Sequence, residues 1–325
     1  MAKAAHPLQD SPDQLDKTEL FDGLEIGLFS IEGKDAGDFL HRQLSNEIRN
    51  LTINSGVPVC LLNREGRILL YFTLWKTEAG YTAIVPEQQR QQFIPLLDRV
   101  LFREDVRLTD QSPEITALVL SGTRLVESLH TLGAVRMDDA VFQSVSFIHE
   151  GIPLRIFQMD WLLQPCVLLL CPKERITEIK GKLMDAGCME SGLDVFHSYR
   201  VEKGSPWPGY EVDETMIPYE CGLTHTASLS KGCYVGQEII ARIHNLGKPP
   251  RILRGLVVEG ATSPERGTPV FHENVEVGKI LSSGWSSHLK KPIASCSIRV
   301  KYGADGTSVS VSGVPATVKE FPLVH

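Results

Sequence analysis

From Phe21 onward the apolar residues fall into two rhythms that alternate along the chain. Leu28-Phe29-Ser30-Ile31 reads as a short strand ended by Gly33. Behind it Ala36, Phe39, Leu40 and Leu44 recur at helical spacing, with Asp35 as the residue type that caps a helix N-terminus. Three strand-like runs follow: Val57 to Leu62, Arg67 to Lys76 and Tyr81 to Val85. Asn63-Arg64-Glu65-Gly66 and Glu78-Ala79-Gly80 supply the turn chemistry between them. Pro86 then opens a helix through Val100, at a position where its missing N–H costs little.

The same order comes round a second time. Ile115 to Leu120 reads as a strand, Thr123 to Leu132 as a helix, and Phe142 to Ile148 with Leu154 to Phe157 as a hairpin across Gly151. Val167 to Leu170 is a further strand, and Pro172 opens a helix through about Ala186. A strand runs into proline in both halves, at Ile84-Val85-Pro86 and Leu170-Cys171-Pro172. The pattern predicts an α+β fold of two ferredoxin-like-type units with a boundary near residue 112. Hairpin connections disfavour a doubly wound parallel sheet.

From Arg254 the rhythm shortens. Leu256 to Val258, Val275 to Leu281, Ile293 to Val300 and Val309 to Val311 are strands at close spacing, with Gly, Pro and Ser in the turns and no helical stretch. This predicts a small C-terminal antiparallel β-barrel. Lys248-Pro249-Pro250 reads as the linker into it. The expected organisation is a loose extension over 1–20, an α+β region over 21–250 and a barrel over 251–325.

Charge and composition narrow the possible chemistry. A net charge of −7 in 325 residues argues against a sequence-blind nucleic-acid binder, whose affinity rests on many phosphate contacts. No apolar run reaches the roughly 18 residues of a membrane-spanning helix, so no membrane is expected. The first twenty residues have neither a signal-peptide core nor a transit-peptide composition, and the reading is a cytoplasmic protein. Seven scattered cysteines fit a reducing compartment, and no Cys or His spacing suggests a metal site. Neither a GxGxxG after a strand nor a P-loop occurs.

Three segments stand out: Gly33-Lys34-Asp35-Ala36 with Gln43-Leu44-Ser45-Asn46-Glu47; Tyr199-Arg200-Val201-Glu202-Lys203-Gly204 with Gly209, Glu211 and Pro218; and Lys231-Gly232-Cys233-Tyr234-Val235-Gly236-Gln237-Glu238. Together they resemble the glycine-cleavage T-protein (aminomethyltransferase) superfamily. More narrowly they resemble its YgfZ-like branch of folate-binding proteins, linked to iron–sulfur enzyme maintenance and tRNA modification. The resemblance runs from about Phe21 to the end, and the last of the three segments is its most specific part.

That resemblance implies a tetrahydrofolate site between two α+β units and a barrel. It makes Glu202, in an Arg-x-Glu-x-Gly segment, the residue for the pterin: a carboxylate can accept both bonds from the two-donor edge of that ring. Arg200, Tyr234, Gln237 and Glu238 are further candidates for cofactor binding; Gln237 and Glu238 can equally serve to order their loop. Cys233 is the expected reactive group, with Lys231 favouring its thiolate. Cys221 stays undecided between packing and chemistry, and His225 is a conceivable base. The basic run Arg242, Lys248, Arg251 and Arg254 can meet a folate glutamate tail or RNA phosphate, or be a solvated linker.

One departure bears on activity. Where the superfamily has a Gly-Gly-Ile-Leu-Asp-Asp type of segment, this chain has Gly66-Arg67-Ile68-Leu69-Leu70-Tyr71, with no carboxylate at either acidic position. The expectation is a folate-binding accessory protein for iron–sulfur cluster assembly or repair, partnered by iron–sulfur proteins or their assembly factors, with tRNA modification as a further link. A one-carbon transferase and a non-catalytic folate sensor are the alternatives.

Overall fold

A computed structural model describes residues 17–133, 141–247 and 249–324. The chain enters the fold at β1 (Thr18–Phe21), followed by β2 (Ile26–Glu32), α1 (Ala36–Gln43), β3 (Gly56–Leu62), β4 (Ile68–Thr77), β5 (Gly80–Pro86), α2 (Glu87–Asp98) and β6 (Arg107–Asp110). Strands β2 to β6 form one antiparallel sheet in the order β3-β4-β5-β2-β6. Strand alternation splits its two faces. Leu70, Phe72 and Leu74 of β4 pack with Phe39, Leu40 and Leu44 of the α1 segment and Phe93 and Leu97 of α2. Trp75 faces the other way, into a core shared with the second sheet, where its ring meets Phe157 edge-on at 4.7 Å.

The second unit contains β7 (Ile115–Gly122), α3 (Leu125–His130), β8 (Ser144–His149), β9 (Ile152–Met159), β10 (Cys166–Pro172), α4 (Ile176–Asp185), β11 (Met189–Ser191) and α5 (Leu193–Lys203). Its sheet runs β11-β1-β7-β10-β9-β8. The N-terminal strand β1 therefore belongs to the second sheet, antiparallel to β7 and parallel to β11. This corrects the expected extension over 1–20: Thr18 to Leu20 are sheet residues, while residues 1–16 lie outside the described residues. A four-residue strand has too few positions to show a period, but Leu20 and Phe21 fill the cores on the sheet's two faces.

After α6 (Gln237–Leu246), six strands close a barrel: β12 (Arg251–Val258), β13 (Pro269–His272), β14 (Val275–Ser286), β15 (Lys291–Arg299), β16 (Ser308–Val311) and β17 (Val314–Lys319), in the order β12-β15-β14-β13-β16-β17. The α+β fold with a C-terminal antiparallel barrel is thus the architecture expected from the sequence. Among the described residues no helix is long and apolar enough to cross a membrane.

Local details differ. Asp35 holds the N-cap position of α1 without a capping bond; its Oδ2 accepts the Asp105 N–H at 2.8 Å and ties the helix entry to the segment before β6. Pro172 ends β10, and a 3-10 turn at Lys173–Arg175 precedes α4. The Thr123 to Leu132 helix contracts to α3. Lys248 of the expected linker lies outside the described residues.

Candidate functional site

Helix α5 delivers the Arg-x-Glu-x-Gly segment. Gly204 ends it at φ 84°, and a Cβ there would come within 2.2 Å of the Phe321 ring; both the left-handed backbone and the close packing demand glycine. Arg200 is 1% exposed. It donates from Nη1 to Glu211 Oε2 at 2.8 Å, from Nη2 to Ser282 Oγ at 2.7 Å and from Nε to His197 Nδ1 at 2.8 Å. Burial, reinforced by the guanidinium charge, holds His197 down at about 4, so its ring is neutral and can accept that bond. Glu211 in turn accepts from Trp207 N–H at 3.0 Å and Ser295 Oγ at 2.5 Å. The pair locks α5 and the following loop onto barrel strands β14 and β15.

Glu202, two residues on, is 2% exposed and differently placed. It lines a cavity of about 360 Å³ together with Tyr199, His288, Leu162 and Ser121. Its Oε1 is buried without a hydrogen-bond partner; His288 Nδ1 stands 3.5 Å away, beyond a good N–H···O bond. Burial pushes its pKa above the usual carboxylate range, opposed by a bond with Ser286 and by His288.

The third segment is anchored on α1. Lys231 is buried, and its Nζ donates to the carbonyls of His41, Leu44 and Asn46 at 2.6, 2.7 and 2.9 Å, using all three ammonium donors at the negative end of that helix. Burial draws its pKa down to about 8, against the pull of the Glu47 carboxylate. Ser45 and Asn46 extend the seam, donating to the carbonyls of Thr226 at 2.5 Å and His225 at 3.0 Å. Gly236, at φ 83°, starts α6; a Cβ there would lie 2.7 Å from the Asn63 carbonyl oxygen. The loop is thus wedged between α1 and the β3–β4 turn.

Within this wedge Cys233 points out and is the one exposed thiol among the seven. Burial pushes Cys60, Cys166 and Cys296 up to about 12, and Cys221 well up, in a core beside Met216. Tyr234 turns inward, with its hydroxyl buried and unpartnered and its pKa raised to about 12. Gln237 reaches the Lys231 carbonyl at 3.5 Å, and Glu238 is exposed in the first turn of α6. His225 is exposed at the surface, and partial desolvation of its ring lowers its pKa, reinforced by Lys203 and opposed by Asp160. Arg254 is committed to the Gly303 carbonyl at 2.8 Å and Glu320 at 3.0 Å, which removes it from any free basic surface. Among the described residues no cluster of three or more His, Cys, Asp or Glu side chains could hold a metal ion.

Residues 14–231 match the family model described as the GCVT N-terminal domain, and residues 251–324 match the glycine cleavage T-protein C-terminal barrel domain. The chain belongs to the glycine-cleavage T-protein family. Similar proteins include an aminomethyltransferase of Chlorobium luteolum, 24% identical over 94% of this chain and 87% of the relative, and one of Chlorobium limicola, 26% identical over 90% and 83%. The crystal structure of the glycine cleavage system aminomethyltransferase T from Bartonella henselae superposes with a TM-score of 0.86 at 21% identity, covering 95% of this chain and 87% of that one; at that identity the likeness concerns the fold.

Within this T-protein-family fold the Leu70-Tyr71 pair has a definite placement. Leu70 is fully buried in the core beneath α1 and α2, whereas Tyr71 lies on the opposite face against the cluster that holds Cys60 and Tyr234. Burial raises the Tyr71 phenol further, so it is no base near neutral pH. Sequence reasoning missed His288 beside Glu202. It sits in the β14–β15 turn, where a lone histidine among serines carries no pattern.

Proposed function

We propose that this chain binds a reduced folate, tetrahydrofolate or a derivative, through the region spanning residues 21–250 with the barrel from 251 closing the site, and that it acts as a YgfZ-like accessory protein for iron–sulfur enzymes. The observation that carries the folate reading is the buried, unpartnered Oε1 of Glu202 on a cavity wall. A buried carboxylate oxygen without a donor is costly, and the N–H edge of a pterin offers the donor this one lacks. In this reading Glu202 holds the ring and His288 stands beside it. Arg200 fixes the helix that carries Glu202, Tyr234 shapes the wall, and Gln237 and Glu238 order the loop or meet the ligand's polar end. When bound, the folate supplies a nitrogen that can carry a one-carbon unit.

Cys233 is the reactive group in this proposal. Its support is contrast: six thiols are buried and burial raises the pKa of each, while this one is open to solvent in a loop tied to α1. Lys231 contributes by pinning that loop to α1. The iron–sulfur partners, the link to tRNA modification and a cytoplasmic setting rest on the resemblance of the Lys231 to Glu238 segment.

Relatives named aminomethyltransferase favour a second reading, folate-dependent aminomethyl transfer. Leu70 and Tyr71 weigh against it, because neither can take or stabilise a proton near neutral pH. Calorimetry with tetrahydrofolate tests the first reading: one site per chain, weakened by roughly 1–3 kcal/mol in Glu202→Gln. Equal affinities would remove Glu202 from the site. An assay with the remaining glycine-cleavage components separates the second reading, and turnover of about 1 per second or faster would establish it.

A further inference from the structure

Away from Glu202, the two sheets flank a second, open cavity of about 500 Å³ that shares no lining residue with the first. Its walls include Leu28 of β2, Ile115 of β7, Phe147 of β8, Leu154 of β9 and Leu170 of β10, and they are mainly apolar. Arg155 of β9 also lines it. Sheet alternation turns Arg155 away from the core that receives Leu154 and Ile156 and toward the first sheet.

The guanidinium of Arg155 is poorly satisfied. Its Nε is buried with no partner, and Nη1 makes a long 3.4 Å contact to the neutral Thr82 hydroxyl. Its carbon centre lies 4.6 Å from the Phe157 ring centroid. Among the described residues no carboxylate pairs with it; Glu114, which also lines the cavity, is exposed and forms no ion pair. Burial alone lowers its pKa, yet a guanidinium stays charged in proteins.

A contrast within the same molecule shows what is missing. Arg200 lies deeper in the interior, yet it has a carboxylate, a hydroxyl and a neutral imidazole around it. A half-buried cation without an anion costs free energy that a bound carboxylate recovers through a charge-assisted, two-pronged bond. The volume falls in the range of small-molecule sites, and its apolar walls would take the ligand's body.

We propose that this inter-sheet cavity is a binding site for a small carboxylate on a flat apolar body, with Arg155 taking the carboxylate and Ile148, Leu28 and Leu170 the body. The site is independent of the folate reading.

The test uses the full chain and the probe pair 4-fluorobenzoate and 4-fluorobenzamide, followed by fluorine NMR. The acid should bind saturably at one site and at least tenfold more tightly than the amide, and Arg155→Gln should remove that preference. Arg155→Lys should retain part of it. Ser146→Tyr, at an exposed lining position, should block the acid even if Arg155→Gln fails to fold. Tetrahydrofolate affinity should be the same in every folded variant. Equal binding of acid and amide, unchanged binding to folded Arg155→Gln, or no saturable binding at millimolar concentrations would each overturn the proposal.

Discussion

Arg200 and Glu202 sit two residues apart near the end of α5, and both are almost wholly buried. One is finished and the other is not. Every partner of Arg200 is supplied from within the chain, by Glu211, Ser282, His197 and the Ser205 carbonyl. Glu202 lines a cavity and leaves a buried oxygen without a donor. Completeness of hydrogen bonding, more than burial or motif membership, separates a residue that holds the fold from one with a polar atom still to be satisfied. By the same measure Lys231, with three carbonyls on its ammonium, belongs with Arg200.

The contrast can be broken most forcefully at the buried pair. Glu211→Ala strands the Arg200 guanidinium and should cost about 3–5 kcal/mol in urea unfolding. Glu202→Gln should change stability by less than about 1 kcal/mol, since it replaces a carboxylate that the fold already disfavours. Comparable losses in the two variants would erase the distinction. Lys231→Met ranks next, at about 2–3 kcal/mol, because it leaves three carbonyls at a helix end without their donor.

A smaller effect is the pH dependence of folate affinity. Burial raises the Glu202 pKa in the free protein, whereas a ligand donating to the carboxylate favours its charged form. Affinity should therefore be full above that raised pKa and fall as pH drops through it, with the Glu202→Gln titration flat over the same window. Affinity that rises on acidification would point to a protonated Glu202 as donor. Cys233→Ser should have the least effect on stability, within about 0.5 kcal/mol. It should remove the fast-alkylating thiol and, in cells lacking the native protein, support of iron–sulfur enzymes; full complementation would make the residue dispensable.

The sequence shows long strands and amphipathic helices because their periods fit many residues: β3, β4 and β5 sit where alternation puts them. It hides β6, β11 and β13, which have three or four residues each and owe their pairing to neighbours far along the chain. The same limit applies in the candidate site. Glu202 and Cys233 are visible as residues of a motif. That Arg200 is saturated from the barrel, 82 residues away at Ser282, and Lys231 from α1, 190 residues away at His41, depends on contacts that no local pattern encodes. Chemistry can be read from the residue type, but availability requires the surroundings.

Strand β1 bears on how the molecule is made. Its hydrogen-bonding edges belong to β7 and β11, so the ribosome releases Thr18–Phe21 roughly 100 residues before the first of those partners exists, an interval of at least about 5 s at 5–20 residues per second. The first sheet, β2 through β6, can close on itself meanwhile. The nascent chain thus carries a folded module with an apolar leader still unpaired, and docking that leader joins the two units by a strand as well as by a linker. Separating them at residue 112 would strand Leu20 and Phe21 in water and open a gap between β7 and β11. The two halves behave in synthesis as one folding commitment, sealed late.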